Sequence, residues 1–165
     1  MPDDGGGRKA QLRERLDGAR TTFLQAVAAL SEEDLARSVG HESDWTARDL
    51  IGHVAYAEGS MLPMIEGPLA GQPHRVPPDF DLDRWNASRV RRAKEQSVQD
   101  LLARLEESRR EMLALLDGME ESDLARPTSH PVAPETTVEG VFRIIARHER
   151  DHARELQALR DGASA

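Results

Sequence analysis

The sequence predicts an all-α fold, a four-helix bundle with a long crossover between helices two and three. Four stretches carry apolar residues at steps of three and four, which is the pattern of amphipathic helices. Almost no segment alternates apolar and polar residues at period two, as half-buried strands do. The second half of the chain repeats features of the first, which indicates two pseudo-symmetric helical hairpins.

The first helix follows a short tail. Residues 1–7, Met-Pro-Asp-Asp-Gly-Gly-Gly, are expected to be disordered, and residues 8–162 are expected to form a single domain. One face of the helix is apolar at Leu12, Leu16, Ala19, Phe23, Val27 and Leu30. Ser31 and Asp34 then have the spacing of a capping box, which predicts a short helical turn.

The second helix is predicted to begin at another capping box, formed by Thr46 and Asp49. Its inner face carries Leu50, His53, Ala57, Met61 and Met64. Pro63 is expected to kink or end the helix, because proline lacks the backbone N–H that the helix needs. The glycines and prolines of residues 67–78 predict a long loop, which is the crossover.

The third and fourth helices complete the bundle. The inner face of the third is Val98, Leu101, Leu105, Met112, Leu115 and Met119. Gly118 and Pro127 bracket its end. Thr136 and Glu139 form the last predicted capping box. The helix that follows has an inner face of Val141, Ile145, His148, His152, Leu156 and Leu159.

An internal repeat supports this division. A shift of 89 residues lays residues 16–20 on residues 105–109, and it lays Asp-Leu-Ala-Arg at 34–37 on the identical residues 123–126. One further residue of offset aligns the caps of the second and fourth helices. Two halves of one design predict a bundle in which helices two and four face each other.

Composition excludes several classes of protein. The 165 residues include no cysteine, so disulfides, thiolate metal sites and a cysteine nucleophile are excluded. Thirty acidic residues against 22 basic ones give a formal net charge of -8, which disfavours nucleic acid and anionic membranes as partners. No apolar run approaches the roughly 20 residues of a membrane span. We therefore expect a cytoplasmic protein.

His148 and His152 lie four residues apart on the inner face of the fourth helix. This spacing is a little over one helical turn, so both imidazoles leave the same side of the helix and can bind one ion. Two imidazoles shielded from water cost several kcal/mol unless a partner satisfies them, and a metal ion does so best. The pair therefore predicts a divalent metal site.

The same residues also match His-Glu-x-x-His, the metalloprotease motif, with Glu149 as the general base. A third ligand would then lie downstream, where Glu155 is the acidic candidate. Glu149 points about 100° away from His148 on a helix. The short downstream segment and this angle both disfavour a protease.

Other polar residues have simpler interpretations. His41, His74 and His130 lie in loops rich in glycine and proline, and we expect them at the surface. A lone His53 on an apolar face is more often a core residue than a ligand. A basic patch on the third helix is expected to be solvated, although one of its residues could reach an anionic substrate at the bundle mouth; it comprises Arg84, Arg89, Arg91 and Arg92.

Three segments resemble the DinB-like superfamily of four-helix metalloproteins. The first is Trp-x3-Asp-x3-His, which ends at His53, and the second is the pair Trp85-Asn86. The third is Thr-Val-Glu-Gly-Val-Phe-Arg-Ile-Ile-Ala-Arg-His-Glu-Arg-Asp-His, which ends at His152. The resemblance implies that the corresponding histidines, His53, His148 and His152, bind zinc, nickel or a similar divalent ion.

The resemblance also implies a function. Three histidines leave an open coordination position, as in catalytic rather than structural zinc sites. We expect a transferase that delivers a low-molecular-weight thiol, such as mycothiol, bacillithiol or glutathione, to a small electrophile. Two alternatives stay open, a metal-dependent hydrolase of a small molecule and a non-enzymatic, metal-stabilised bundle. A homodimer is a further expectation from the resemblance.

Three residues are candidate helpers at this site. Asp151 or Glu149 would orient a ligand imidazole, and Tyr56, one turn from His53, would lie at the edge of the pocket. Asp151 has the competing interpretation of a solvated surface charge.

Overall fold

The computed structural model describes residues 5–40 and 44–162 of the chain. Its helices are α1 (Gly5–Ala28), α2 (Glu32–Leu35), α3 (Ala47–Met61), α4 (Pro63–Leu69), α5 (Leu82–Ala93), α6 (Val98–Gly118) and α7 (Val138–Gly162). A 3-10 helix (Glu121–Ala125) and two antiparallel strands, β1 (Pro127–His130) and β2 (Ala133–Thr137), lie between α6 and α7. The predicted tail over residues 1–7 lies partly outside the described residues, and its last three residues begin α1. Within the described part of the chain, no helix has both the length and the apolar character to cross a membrane.

Four long helices, α1, α3, α6 and α7, form the predicted bundle. α1 and α7 are parallel neighbours, because Arg8 near the start of α1 lies 3.7 Å from Glu139 near the start of α7. α3 and α6 are also parallel, because a Cβ on Gly52 would lie 3.9 Å from Leu101. α1 runs antiparallel to α6, and α3 faces α7 as predicted. The two long helices of each repeat half therefore lie across the bundle from one another rather than side by side.

A crossover joins the end of α3 to the start of α6, because parallel neighbours cannot be connected by a short loop. Pro63 ends α3 as predicted: α3 stops at Met61, and the proline occupies the first turn of α4. α4 continues to Leu69, so the loop predicted over residues 67–78 starts later than expected. The crossover also contains α5, a separate helix that carries Trp85 and packs on α3.

The hairpin of β1 and β2 is a feature that the sequence did not predict. Each strand has at most five residues and contains a proline, so neither shows the alternation that indicates a strand. Thr128 donates a hydrogen bond to the Met64 carbonyl at 2.8 Å, and the Ser129 hydroxyl accepts one from the Val76 N–H at 2.8 Å. These bonds attach the hairpin to the crossover.

The start of α7 differs from the prediction by one residue. The Thr137 hydroxyl, rather than that of Thr136, accepts from the Gly140 N–H at 3.1 Å. The Glu139 carboxylate instead pairs with arginine side chains. The predicted capping box of Thr136 and Glu139 is therefore wrong, whereas those predicted for α2 and α3 are confirmed.

Charged residues lie between the two apolar clusters that fill the bundle. Each long helix contributes one of them: Arg20, Glu58, Arg109 and Glu149. Arg20 bonds Glu58 and Glu149 at 2.5 Å each. Arg109 bonds the same two carboxylates at 2.7 and 2.8 Å. This Arg–Glu quartet carries no net charge when all four groups are ionised, and its arginines offset part of the cost of removing the carboxylates from water, although burial still raises the pKa of Glu58.

The Arg–Glu quartet follows the symmetry of the sequence repeat. Arg20 donates to the Leu105 carbonyl at 2.7 Å, and Arg109 donates to the Leu16 carbonyl at 2.7 Å. The 89-residue shift that relates the two halves exchanges these two bonds. An offset of 91 residues relates the two glutamates, and it also relates the caps of α3 and α7. The quartet therefore marks a pseudo-twofold axis at the centre of the bundle.

Candidate metal centre

α3 carries His53 on its inner face. The Thr46 hydroxyl accepts from the Asp49 N–H, and the Asp49 carboxylate accepts from the Thr46 N–H, which fixes where the helix begins. His53 follows about two turns later and is 6% exposed. Gly52 allows α5 to lie against this part of α3, because a Cβ there would come within 2.5 Å of the Ala93 Cβ. The capping box and the glycine together position the histidine.

α7 places His148 and His152 opposite His53. The Nε2 atoms of His53 and His148 lie 2.8 Å apart, and those of His148 and His152 lie 3.1 Å apart. One ring nitrogen from each of the three histidines lies within 4.8 Å of the other two. The structure thus brings together the three histidines that the resemblance implied.

The spacing of the three imidazoles suits the binding of one divalent ion better than hydrogen bonding among the imidazoles themselves. A neutral imidazole offers one N–H and one lone pair, so three mutually facing nitrogens cannot all be satisfied by hydrogen bonds. Tetrahedral metal–nitrogen bonds of about 2.0–2.1 Å separate neighbouring nitrogens by about 3.3 Å, close to the spacing in this structure. The donor set suits zinc, nickel and other ions that imidazole binds.

The protonation of His148 also suits a metal ligand. Burial lowers the pKa of His148 well below its usual range, and the neighbouring His152, His53 and His130 add to the shift. The side chain is therefore neutral at pH 7, and the neutral imidazole is the form that binds a metal.

Glu155 is a site residue for which the sequence reasoning proposed only the role of a protease ligand. Its Oε2 lies 3.1 Å from Nδ1 of His152. A carboxylate that accepts from Nδ1–H directs the lone pair of Nε2 toward the other two histidines. The spacing of three residues on one helix was the signal available in the sequence.

The three histidines lie in the wall of a cavity of about 1050 Å³. This volume is at the upper end of the range for small-molecule sites. Much of the remaining wall is apolar, with Ala57, Met61, Met64, Val76, Phe80 and Ile144. Arg89 and Arg147 are the arginines among the lining residues. The cavity can hold a mainly apolar molecule beside the histidines.

Two further histidines line the cavity. His130 is 6% exposed on β1, and its Nδ1 accepts from the Val132 N–H at 3.1 Å. His74 is half-buried, with Nδ1 3.3 Å from the Ser129 carbonyl. The prediction of a surface position is wrong for His130, because the unpredicted hairpin covers it, and burial lowers its pKa. His41 lies outside the described residues.

Glu149 does not orient a histidine. Its side chain is 3% exposed and bonds Arg20 and Arg109 in the Arg–Glu quartet. Its predicted role as a helper at the site is therefore wrong. The same pairing removes the general base that the protease interpretation requires.

The other two candidate helpers lie at different places. Asp151 lines the cavity and pairs with Arg154 at 3.3 Å, in keeping with an exposed charge. Tyr56 is buried, and its hydroxyl accepts from Nε2 of Gln96 at 2.5 Å. Tyr56 lines a neighbouring cleft rather than the cavity beside the three histidines.

Comparison with known families identifies a related family. The model of the DinB superfamily matches residues 15–156 of the chain. Among curated proteins, no sequence matches significantly.

Several solved structures share the fold. YfiT from Bacillus subtilis, described as a probable metal-dependent hydrolase with an unusual four-helix bundle topology, is 19% identical, with a TM-score of 0.81 over 99% of this chain and 92% of that one. The mycothiol-dependent maleylpyruvate isomerase is 17% identical, with a TM-score of 0.70 over 88% of this chain and 60% of that one. The colibactin self-resistance protein ClbS, solved with double-stranded DNA, is 14% identical, with a TM-score of 0.73 over 98% of each chain.

Proposed function

The chain belongs to the DinB superfamily, and we propose that it is a metal-dependent enzyme in which His53, His148 and His152 bind one divalent ion, zinc or nickel. The observation that carries the proposal is the convergence of three imidazole nitrogens in the wall of a large cavity. A bound ion would act as a Lewis acid. It would lower the pKa of a thiol or a water molecule, so that more of it is deprotonated at neutral pH.

The proposed reaction is the transfer of a low-molecular-weight thiol to a small electrophile. The chain contains no cysteine, so the sulfur nucleophile has to come from a cosubstrate. The thiol loses its proton to solvent, its sulfur forms a bond to one carbon of an activated double bond as the π bond breaks, and a proton from solvent is added to the neighbouring carbon. The cavity has room for two small molecules, and its apolar wall limits competing hydrolysis. Structural likeness to a mycothiol-dependent isomerase supports this class of reaction.

Two other cavity residues are suited to hold the substrate. His130 carries its proton on Nε2, because Nδ1 accepts the Val132 N–H, and it therefore donates from Nε2 to a ligand in the cavity. Arg147 is exposed at the cavity and has no ion pair within the described part of the chain. It therefore offers a cation to an anionic group on the substrate.

A metal-dependent hydrolase is the second candidate. The likeness to YfiT, which is described as a probable metal-dependent hydrolase, favours this alternative. The same three histidines would bind the ion, and water would replace the thiol as the nucleophile. We further expect a cytoplasmic homodimer that acts on small molecules. The net charge of -8 disfavours DNA as a partner, although the related fold of ClbS was solved with DNA.

Metal analysis tests the site first. Tag-free protein loaded with zinc or nickel and then desalted should retain about one equivalent of the ion, and His148→Ala should retain less than about a tenth. His74→Ala is the matched control, because it removes an imidazole from the same cavity but not from the converging three. Equal metal content in all three proteins would refute the proposed site.

Assays of the metal-loaded protein then separate the reactions. Consumption of an electrophile only when a thiol is present supports the transferase. Consumption without a thiol supports the hydrolase instead. No turnover of a broad panel, together with a melting temperature that collapses on chelation, contradicts both enzymes and supports a structural ion.

A further inference from the structure

We propose a second binding site beside the metal cavity, which takes the oxyanion of a small molecule whose other end lies near the three histidines. The inference rests on the proposed function and deepens it. The site is a cleft of about 480 Å³. We call it the arginine cleft, and its walls include Tyr56, Trp85, Arg89, Arg92, Gln96 and Arg104.

The charge of the arginine cleft is positive and uncompensated. Arg89 and Arg92 come from α5 and Arg104 comes from α6, and none of them forms an ion pair with any residue that the structure describes. Among the described residues that line the cleft, none carries a carboxylate. Asp100, one turn before Arg104, is held by the Ser97 hydroxyl at 2.6 Å. In a chain of net charge -8, three such arginines around one concave surface attract an anion.

Aromatic rings hold two of the arginines in place. The guanidinium of Arg104 lies 4.0 Å from the centre of the Tyr56 ring, and that of Arg89 lies 4.9 Å from the centre of the Trp85 ring. Stacking occupies the face of a guanidinium and leaves its in-plane N–H groups able to donate. This arrangement suits the bidentate binding of a carboxylate, sulfate or phosphate.

Gln96 restrains one wall of the arginine cleft. Its Nε2 donates to the Tyr56 hydroxyl at 2.5 Å, and its backbone carbonyl accepts from Arg48. The tyrosine that supports Arg104 is thus fixed on α3, which also carries His53. A cleft ordered before binding loses less entropy when an anion enters.

The arginine cleft is continuous with the metal cavity. Ser60, Trp85 and Arg89 line both. One molecule can therefore place its oxyanion among the arginines and its reactive end near the histidines. A carboxylate-bearing thiol and an anionic electrophile share this chemistry. The cleft is too small for a nucleic-acid duplex, and the net charge opposes a polyanion.

Sulfate binding tests the cleft. Calorimetric titration of the protein as purified, at low ionic strength, should show saturable sulfate binding that weakens as chloride is added. Arg92→Gln and Arg104→Gln should each weaken it about tenfold, because each removes one charge-assisted contact. Arg91→Gln is the matched control, since Arg91 neighbours Arg92 on α5 and does not line the cleft. It should bind sulfate as the unmodified protein does.

Several outcomes would overturn the inference. They are no saturable binding, an equal loss in the Arg91 control, and tighter binding of a short DNA duplex that depends on the same arginines. His148→Ala should retain sulfate binding, so failure of the metal site and failure of the arginine cleft are distinguishable. In the thiol assay, Arg92→Gln should raise the KM of whichever substrate carries the anion, and an unchanged KM for both substrates would count against the cleft.

Discussion

Glu155 lies 3.1 Å from Nδ1 of His152 and restrains the orientation of that imidazole. Replacing Glu155 with Ala should weaken metal binding by about 10–100-fold, because the imidazole loses the acceptor that holds its ring. Glu155→Gln should recover part of the loss, since an amide oxygen still accepts from Nδ1–H. Competition with a chelator of known affinity measures the change.

Asp151→Asn is the control for that experiment. Asp151 is an exposed acid on the same helix and pairs with Arg154 rather than with a histidine. We expect its metal affinity to match that of the unmodified protein. Equal metal affinities for Glu155→Ala and Asp151→Asn would show that Glu155 has no role in metal binding.

Individual residues show where the sequence analysis was right and where it was wrong. The spacing of His148 and His152 identified a shared face, because helical geometry is local. His53 followed from family resemblance, since no spacing within one helix relates it to α7. His130 was misplaced because its burial depends on a hairpin with no periodic signal. Glu149 matched a motif whose meaning depends on partners 129 and 40 residues away in sequence.

At the scale of helices and strands, the Arg–Glu quartet ties the four long helices together. Arg109→Met should destabilise the protein by about 3–5 kcal/mol, because it leaves two buried carboxylates with a single cation. Urea unfolding followed by circular dichroism measures the change. Arg110→Met, on the exposed side of the same helix, should alter the free energy of unfolding by less than about 0.5 kcal/mol. Similar values for both variants would contradict a structural role for the quartet.

Helices and caps that depend on residues close together in the sequence could be predicted, whereas features that depend on distant contacts could not. Amphipathic faces and most caps depend on neighbours within a few residues, so the four long helices and the caps of α2 and α3 were predicted. The start of α6 also carries a local signal, the capping box of Ser97 and Asp100, which the sequence analysis did not use to separate α6 from α5. The two long helices of each repeat half lie across the bundle from one another, and this arrangement depends on contacts between distant segments that the sequence does not show.

At the scale of the whole molecule, the stability of the metal-free protein should depend on pH. Burial lowers the folded-state pKa of both His130 and His148, so below about pH 6.5 the unfolded chain binds more protons than the folded one. The stability that these two neutral histidines contribute is complete above that pH and is lost as the pH falls toward 5. Urea unfolding of chelator-treated protein between pH 7 and pH 5 measures the slope.

The double variant His130→Gln and His148→Gln should flatten that slope. Glutamine does not titrate in this range, so the difference in proton binding between the folded and unfolded states is reduced. An unchanged slope would assign the pH dependence to other groups in the molecule.

The pseudo-twofold axis through the Arg–Glu quartet indicates how the fold could have arisen by duplication. The offset that relates α3 to α7 maps the three converging histidines onto Ile144, Ala57 and Met61. All three of these residues line the same cavity. A half-length chain that paired with itself would have built the quartet across a true twofold axis, and duplication with fusion would have freed its two copies to diverge. The first half then carries one of the converging histidines, His53, and the second half carries the other two, while each histidine has an apolar counterpart in the opposite half.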